Sequence, residues 1–208
     1  MTSESGVGPS NWNVPNILTG VRLVMVPLLG WVLLAHPADP VLRWVSAGIF
    51  TLAIITDAVD GNIARKYNLV TDFGKLWDPI ADKAITGMAF VGLSILGELP
   101  WWITIVILVR EWGITALRWA IIKYGVMAAN RGGKLKTVLQ SVAIIMFLPG
   151  LMFLPQWWGW IAWTVMIAAF VLTVLTGLDY LREAAKLRAR YLAENPPPAP
   201  TTGTGGRG

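Results

Sequence analysis

The sequence predicts an all-α membrane protein with six transmembrane helices, and three observations predict it. Hydrophobic residues fill 55% of the 208 positions and charged residues only 14%, far more apolar than a water-soluble domain. The apolar residues gather in six runs, each near the ~20 residues that an α-helix needs to cross ~30 Å of hydrocarbon. Twelve tryptophans accompany them, and indole favours the membrane–water boundary, where one edge is wet and the ring is not. Cysteine is absent, which removes disulfides, thiolate nucleophiles and cysteine-held zinc. The net charge of +5 reads as basic residues beside apolar spans, a signal of membrane orientation and anionic-lipid contact, with no nucleic acid as partner.

Residues 1–13 are polar and lack a basic stretch before the first apolar run, so they are expected to form a flexible arm and not a signal peptide. A membrane domain over 14–190 follows, with spans expected at 16–36, 41–64, 76–96, 101–123, 135–154 and 158–181. His36-Pro37-Ala38-Asp39-Pro40, Gly97-Glu98-Leu99-Pro100 and Pro155-Gln156 punctuate three of the breaks, each long enough only for a hairpin. The other breaks are basic: Arg65, Lys66 and Lys75 in one, Lys123, Arg131, Lys134 and Lys136 in the next, and Arg182, Lys186, Arg188 and Arg190 after the last span. The opposite loops offer only Arg43. The positive-inside rule therefore places both termini and both basic loops in the cytoplasm of a multi-pass protein of the cell membrane. Trp31, Trp44, Trp101, Trp102, Trp157, Trp158 and Trp160 then form an aromatic belt at the outer boundary. Residues 191–208, rich in Pro, Gly and Thr, cannot bury a face and are expected to be a disordered tail.

Four carboxylates sit where lipid-embedded charge is costly. Asp57 and Asp60 end the second span, and Asp78 and Asp82 begin the third. Neighbours at i,i+3 and i,i+4 share a helix face, so each pair projects one way, and antiparallel spans bring the four into an acidic bowl at the cytoplasmic boundary. At about 2.5–3.5 kcal/mol for each aspartate at a helix centre, the set costs on the order of 10 kcal/mol even after relief from boundary placement. Oxygen-only ligands favour a hard cation, Mg²⁺ or Mn²⁺, over zinc, and two ions are expected. The plainer alternative is that the aspartates cap helices or pair with Arg65, Lys75 and Lys83. Asp72 has no partner at helical spacing and reads as solvated or capping. Gly61 and Gly74 remove side chains where a nucleotide or backbone must approach.

The pattern Asp57-x2-Asp60-Gly61-x2-Ala64-Arg65-x8-Gly74-x3-Asp78-x3-Asp82 resembles the signature of the CDP-alcohol phosphatidyltransferase family at every fixed position. The resemblance implies a six-span fold around a cytoplasm-facing polar cavity, usually a homodimer, that cleaves the pyrophosphate of a CDP-linked lipid. It also implies that Asp57, Asp60, Asp78 and Asp82 are metal ligands, with Asp82 also the general base. Gly61, Arg65, Thr71 and Gly74, with Asn16 and Thr19 of the first span, would hold CDP-diacylglycerol. Two further segments resemble family members whose acceptor is glycerol 3-phosphate: Asn13-Val14-Pro15-Asn16-Ile17-Leu18-Thr19-x2-Arg22, and Arg110-Glu111-x3-Thr115-Ala116-Leu117-Arg118 with Gly133-Lys134-x-Lys136-Thr137-x2-Gln140. Trp77 departs from the smaller residue expected before Asp78-Pro79. The likeness runs from about residue 13 to 140, and the last two spans read as generic.

A glycerol 3-phosphate dianion entering a site crowded with carboxylates needs fixed cations, and arginine suits phosphate best. Arg118 and Lys134 are the strongest candidates, with Arg110 and Lys136 beside them. Arg110 lies deep in a span, where a functional role or an ion pair, with Glu111 for instance, is the default. Lys136 reads equally as a headgroup anchor. The expected reaction is in-line attack on the β-phosphorus of CDP-diacylglycerol, with Asp82 taking the proton of the acceptor hydroxyl. Lone His36 falls on the far side of the membrane. Rival readings are a cardiolipin synthase, a phosphatidylinositol-phosphate synthase and, from another class, a cation transporter.

Overall fold

The computed structural model describes residues 14–67, 71–121 and 131–194, leaving aside the side chains at 62–65, 72, 73, 75, 131 and 132. The described chain forms six α-helices: α1 (Val14–Ala35), α2 (Pro40–Lys66), α3 (Asp72–Ile95), α4 (Trp101–Ile121), α5 (Arg131–Phe147) and α6 (Gln156–Glu194), with one 3-10 turn at Leu151–Phe153. The expected N-terminal arm and the end of the expected tail, residues 195–208, lie outside the described residues, as does Lys123.

Local chemistry sets the helix ends. The Asp39 carboxylate accepts from the Val41 and Leu42 backbone N–H groups at 2.8 and 3.3 Å, capping α2 ahead of Pro40 in its first turn. Thr71 caps α3, its Oγ1 accepting from Gly74 N at 3.1 Å. Two boundaries differ from the sequence expectation. α5 ends at Phe147 instead of near residue 154, because Pro149 has no N–H to donate and Gly150 turns the chain at φ +83°. α6 runs to Glu194, past both the expected end of the last span at 181 and the expected domain end at 190, because Ala, Leu, Glu, Arg and Lys are all good helix formers.

α1 packs chiefly against α3 and α2, and α5 against α6. The apolar core joins Leu29 and Leu33 of α1, Phe50 of α2, Phe90 and Leu93 of α3, Ile107 of α4, Ile144 and Phe147 of α5, and Met166 of α6. Lipid tails are as apolar as leucine, so helices associate in a membrane through close packing instead of transfer from water. Buried Ala47, Ala53, Ala89, Ala143 and Ala162 supply the small surfaces that such packing needs. The outer faces are studded with exposed Val, Leu, Ile and Trp on all six helices, a coat that suits lipid and not water.

This is a membrane protein: α1, the Pro40–Gly61 part of α2, and α6 are long and apolar enough to cross a bilayer. The other three helices fall short for a visible reason. α3 carries Asp78, Asp82 and Lys83, α4 carries Arg110, Glu111 and Arg118, and α5 has 17 residues. Their polar residues gather at one end of the bundle; Trp31, Trp44, Trp101, Trp102, Trp157 and Trp160, expected to form the belt at the other, are exposed, as are Trp112 and Trp119 of α4. Trp158 is half-buried, its indole N–H donating to Met146 O at 3.0 Å.

At the end of the bundle opposite the polar cluster, Arg43 is fully buried and makes four hydrogen bonds. It donates twice to Glu98, at 2.7 and 2.6 Å, and to the carbonyls of Leu148 and Phe147 at 2.7 and 3.2 Å. One guanidinium thus ties α2 to the α3–α4 turn and closes the last carbonyls of α5.

Candidate active site

The first half of the site is built on α1, α2 and α3. Asp57 and Asp60 share a face of α2, and both meet Arg22, which projects from α1 with its side chain wholly buried. Arg22 Nη2 donates to Asp60 Oδ2 at 2.5 Å, while Nη1 stands 2.7 Å from Asp57 Oδ1, off the hydrogen-bonding direction. Asp78 accepts a hydrogen bond from Thr19 Oγ1. Asp60 is within electrostatic reach of Asp57 and Asp78, and Asp82 within reach of Asp57, Arg22 and Glu111. Among the described residues no three acidic or histidine side chains close into a ready metal cage. The four carboxylates therefore neighbour one another as the helix spacing predicts, but they do not converge on a common point. Asp57 and Asp60 are drawn to Arg22, and Asp78 to Thr19, so the bare repulsion expected within the bowl is already partly relieved. The donor chemistry, carboxylate oxygens from two adjacent helices with no sulfur or imidazole, fits a hard divalent ion.

Beside this cluster, Asn16, Thr71 and Gly74 form a compact polar corner. Thr71 Oγ1 donates to Asn16 Oδ1 at 3.0 Å and accepts from Gly74 N. A Cβ on Gly74 would stand 3.0 Å from Asn16 Oδ1 and 3.5 Å from Asp78 Oδ2, so glycine here is what lets the turn close against both. Four of the residues the resemblance points to for the nucleotide, Asn16, Thr19, Thr71 and Gly74, are thus assembled around Asp78. Gly61 is half-buried on α2, and the Arg65 side chain lies outside the described residues.

The second half faces it across a cavity of about 830 Å³. Asp57 and Asp82 line one part of the wall, and Arg110, Arg118, Lys134 and Lys136 line another, with Glu111 and Tyr180 among them. Lys136 is buried and bonded to Glu111, a placement unlike that of a lysine anchored among headgroups. Arg110 Nη1 also donates to Glu111, at 3.2 Å, and Nη2 donates to Thr176 Oγ1 at 2.9 Å. Lys134 is exposed at the cavity mouth. Arg118 donates to the Tyr180 hydroxyl at 2.6 Å.

Three residues in this geometry were not anticipated as site residues. Arg22 was visible in the sequence as an arginine inside an apolar run, a position that demands a partner. Glu111, which the sequence offers as a partner for Arg110, binds Lys136 as well. Tyr180 corrects the reading of the last span as generic, because its hydroxyl and ring meet two arginines more than sixty residues away and no local pattern signals that.

Carboxylate and basic side chains thus line one cavity of an apolar helical bundle, an arrangement suited to a charged substrate. The sequence model of the CDP-alcohol phosphatidyltransferase family matches residues 12–175, and the chain belongs to that family. It is 48% identical over 181 residues to a probable phosphatidylglycerophosphate synthase of Mycobacterium tuberculosis, covering 84% of this chain and 82% of that protein. Two proteins named CDP-diacylglycerol–glycerol-3-phosphate 3-phosphatidyltransferase are also similar. That of Rickettsia typhi is 39% identical over 180 residues (82% of this chain, 96% of that one). That of Bacillus subtilis is 40% identical over 145 residues (64% and 75%).

Proposed function

We propose that the protein transfers the phosphatidyl group of CDP-diacylglycerol to glycerol 3-phosphate, giving phosphatidylglycerophosphate and CMP. The observation that carries this reading is the cavity shared by Asp57 and Asp82 with Arg110, Arg118, Lys134 and Lys136. A phosphate-bearing acceptor held by the cations has its hydroxyl turned toward Asp82. The names of the similar proteins support the same acceptor.

In this mechanism Arg118 and Lys134, at the cavity wall, take the acceptor phosphate, and Arg110 and Lys136 add charge from deeper positions. Asp82 accepts the proton of the 1-hydroxyl as its oxygen attacks the β-phosphorus. The new O–P bond forms in line with the breaking bond to the bridging oxygen, which leaves with CMP. Asn16, Thr19, Gly61, Arg65, Thr71 and Gly74 form the cradle for the CDP portion. Asp57, Asp60, Asp78 and Asp82 would hold Mg²⁺ or Mn²⁺, two ions in this reading, which supply neutralising charge to the pyrophosphate. Arg22 keeps the Asp57–Asp60 face aligned by binding both. We place all six helices across the membrane, with the cavity and both termini cytoplasmic, on the support of the basic loops and the belt of tryptophans. A homodimer is part of the reading on the family resemblance alone.

The test is purified protein with CDP-diacylglycerol and, in turn, glycerol 3-phosphate, phosphatidylglycerol and an inositol phosphate, with and without EDTA. Divalent-dependent CMP release with glycerol 3-phosphate alone is expected. Release with another acceptor reassigns the substrate, and no release with any of them refutes the proposed reaction.

A further inference from the structure

We propose that Tyr180, with Thr176 and Gly177, is the positioning element that presents Arg110 and Arg118 to the acceptor's phosphate. The inference rests on the acceptor reading above and gives α6 a role in substrate selection that its apolar sequence does not announce.

Three independent contacts converge on this stretch of α6. The Tyr180 hydroxyl accepts from Arg118 Nη2 at 2.6 Å, and the same ring lies under both guanidinium groups, 4.9 Å from Arg118 and 5.7 Å from Arg110. A cation over an aromatic face is attracted by the ring quadrupole, so one side chain holds two like charges near each other without neutralising either. Thr176 Oγ1 accepts from Arg110 Nη2 at 2.9 Å. Gly177 supplies the third contact by having no side chain: a Cβ there would stand 3.0 Å from Arg110 Cγ and 3.5 Å from its Nε.

The energetics favour a functional cradle over a structural one. Arg110 Nε is buried against Gly177 with no hydrogen-bond partner, and an unpaired buried donor is a cost that stability alone does not explain. Tyrosine and threonine oxygens anchor the arginines while leaving their charge intact, whereas a carboxylate in the same place would compete with an incoming phosphate. Glu111 already takes one share of Arg110 and Lys136. Arg118, whose described partner is the uncharged Tyr180, keeps its full charge for the ligand.

The experiment compares wild type with Tyr180→Phe, which keeps the ring and removes only the hydroxyl, and with Gly177→Ala. Turnover is measured against glycerol 3-phosphate and against CDP-diacylglycerol, and the affinity for inorganic phosphate alone is measured by calorimetry in detergent. In Tyr180→Phe the KM for glycerol 3-phosphate and the Kd for phosphate are expected to rise roughly tenfold, the size of one lost hydrogen bond to a charged group. The KM for CDP-diacylglycerol and kcat stay within about twofold. Gly177→Ala reproduces the acceptor effect by displacing Arg110. Unchanged phosphate affinity in Tyr180→Phe overturns the inference, as does an equal loss for both substrates. If wild type turns over only with a different acceptor, the acceptor reading fails and the phosphate titration still decides the role of Tyr180.

Discussion

Replacing Arg22 with methionine tests the acidic half of the site directly, because the new side chain keeps much of the volume and removes the charge. Arg22 lies 2.7 Å from an Asp57 oxygen and 2.5 Å from an Asp60 oxygen. At an effective dielectric of about 20, each contact is worth about 6 kcal/mol of gross attraction. The gross figure is far from the net one. Asp57 is 40% exposed, so water screens its share, and burying the guanidinium has its own cost. Breaking a buried pair by removing one partner leaves a net loss of about 3–5 kcal/mol, here carried mainly by buried Asp60. For a chain of this size that corresponds to a fall in Tm of roughly 10 °C. Thermal unfolding in detergent, with EDTA and then with rising MgCl₂, is the assay. The variant is expected to recover about 1–3 kcal/mol of its deficit as Mg²⁺ rises, because carboxylates relieved of their arginine bind a cation more tightly and ligand binding adds to stability by mass action. A melting temperature equal to wild type in EDTA would show that the ion pair carries no weight. A deficit that Mg²⁺ does not touch would refute the assignment of these carboxylates to a cation.

Other expectations follow from the same geometry. Asp82→Asn, nearly isosteric at the cavity wall, abolishes CMP release while leaving CDP binding by calorimetry within about threefold; residual turnover above about 1% of wild type removes it as the base. Arg118→Ala raises the KM for the acceptor by roughly ten- to a hundredfold with little change in that for CDP-diacylglycerol, as steady-state kinetics with each substrate varied will read. Arg43→Met, at the opposite end of the bundle, lowers stability by about 3 kcal/mol through Glu98 and the freed α5 carbonyls, yet leaves both KM values unchanged; a kinetic effect would show that the two ends are coupled.

The features legible in the sequence are those that depend on near neighbours. The spacing of Asp57 and Asp60, and of Asp78 and Asp82, is a helical period, and the structure puts each pair where that period requires. Arg110 and Arg118 stand out by chemical type inside an apolar run, Lys134 and Lys136 belong to a basic break between spans, and all four line one cavity. The missed features depend on distant partners. Tyr180 meets Arg118 from 62 residues away in the chain, and an aromatic residue near the end of a hydrophobic run looks like any other boundary tyrosine. Arg22 stands inside an apolar run of the sequence, but its partners Asp57 and Asp60 emerge only where α1 lies against α2. The end of α5 differs for another reason: hydrophobic residues flank Pro149-Gly150 on both sides and extend the apolar run past the point where the backbone breaks the helix.

The clamp of Arg43 with Glu98 has a consequence for how the chain enters a bilayer. In the orientation proposed above, with the basic ends cytoplasmic, this arginine has to reach the far leaflet against a membrane potential that opposes outward movement of positive charge by about 2.3 kcal/mol per 100 mV. Glu98 makes the same journey on the next hairpin with the opposite sign. Their charges cancel in the sum, so the field does no net work on the two once both hairpins are across.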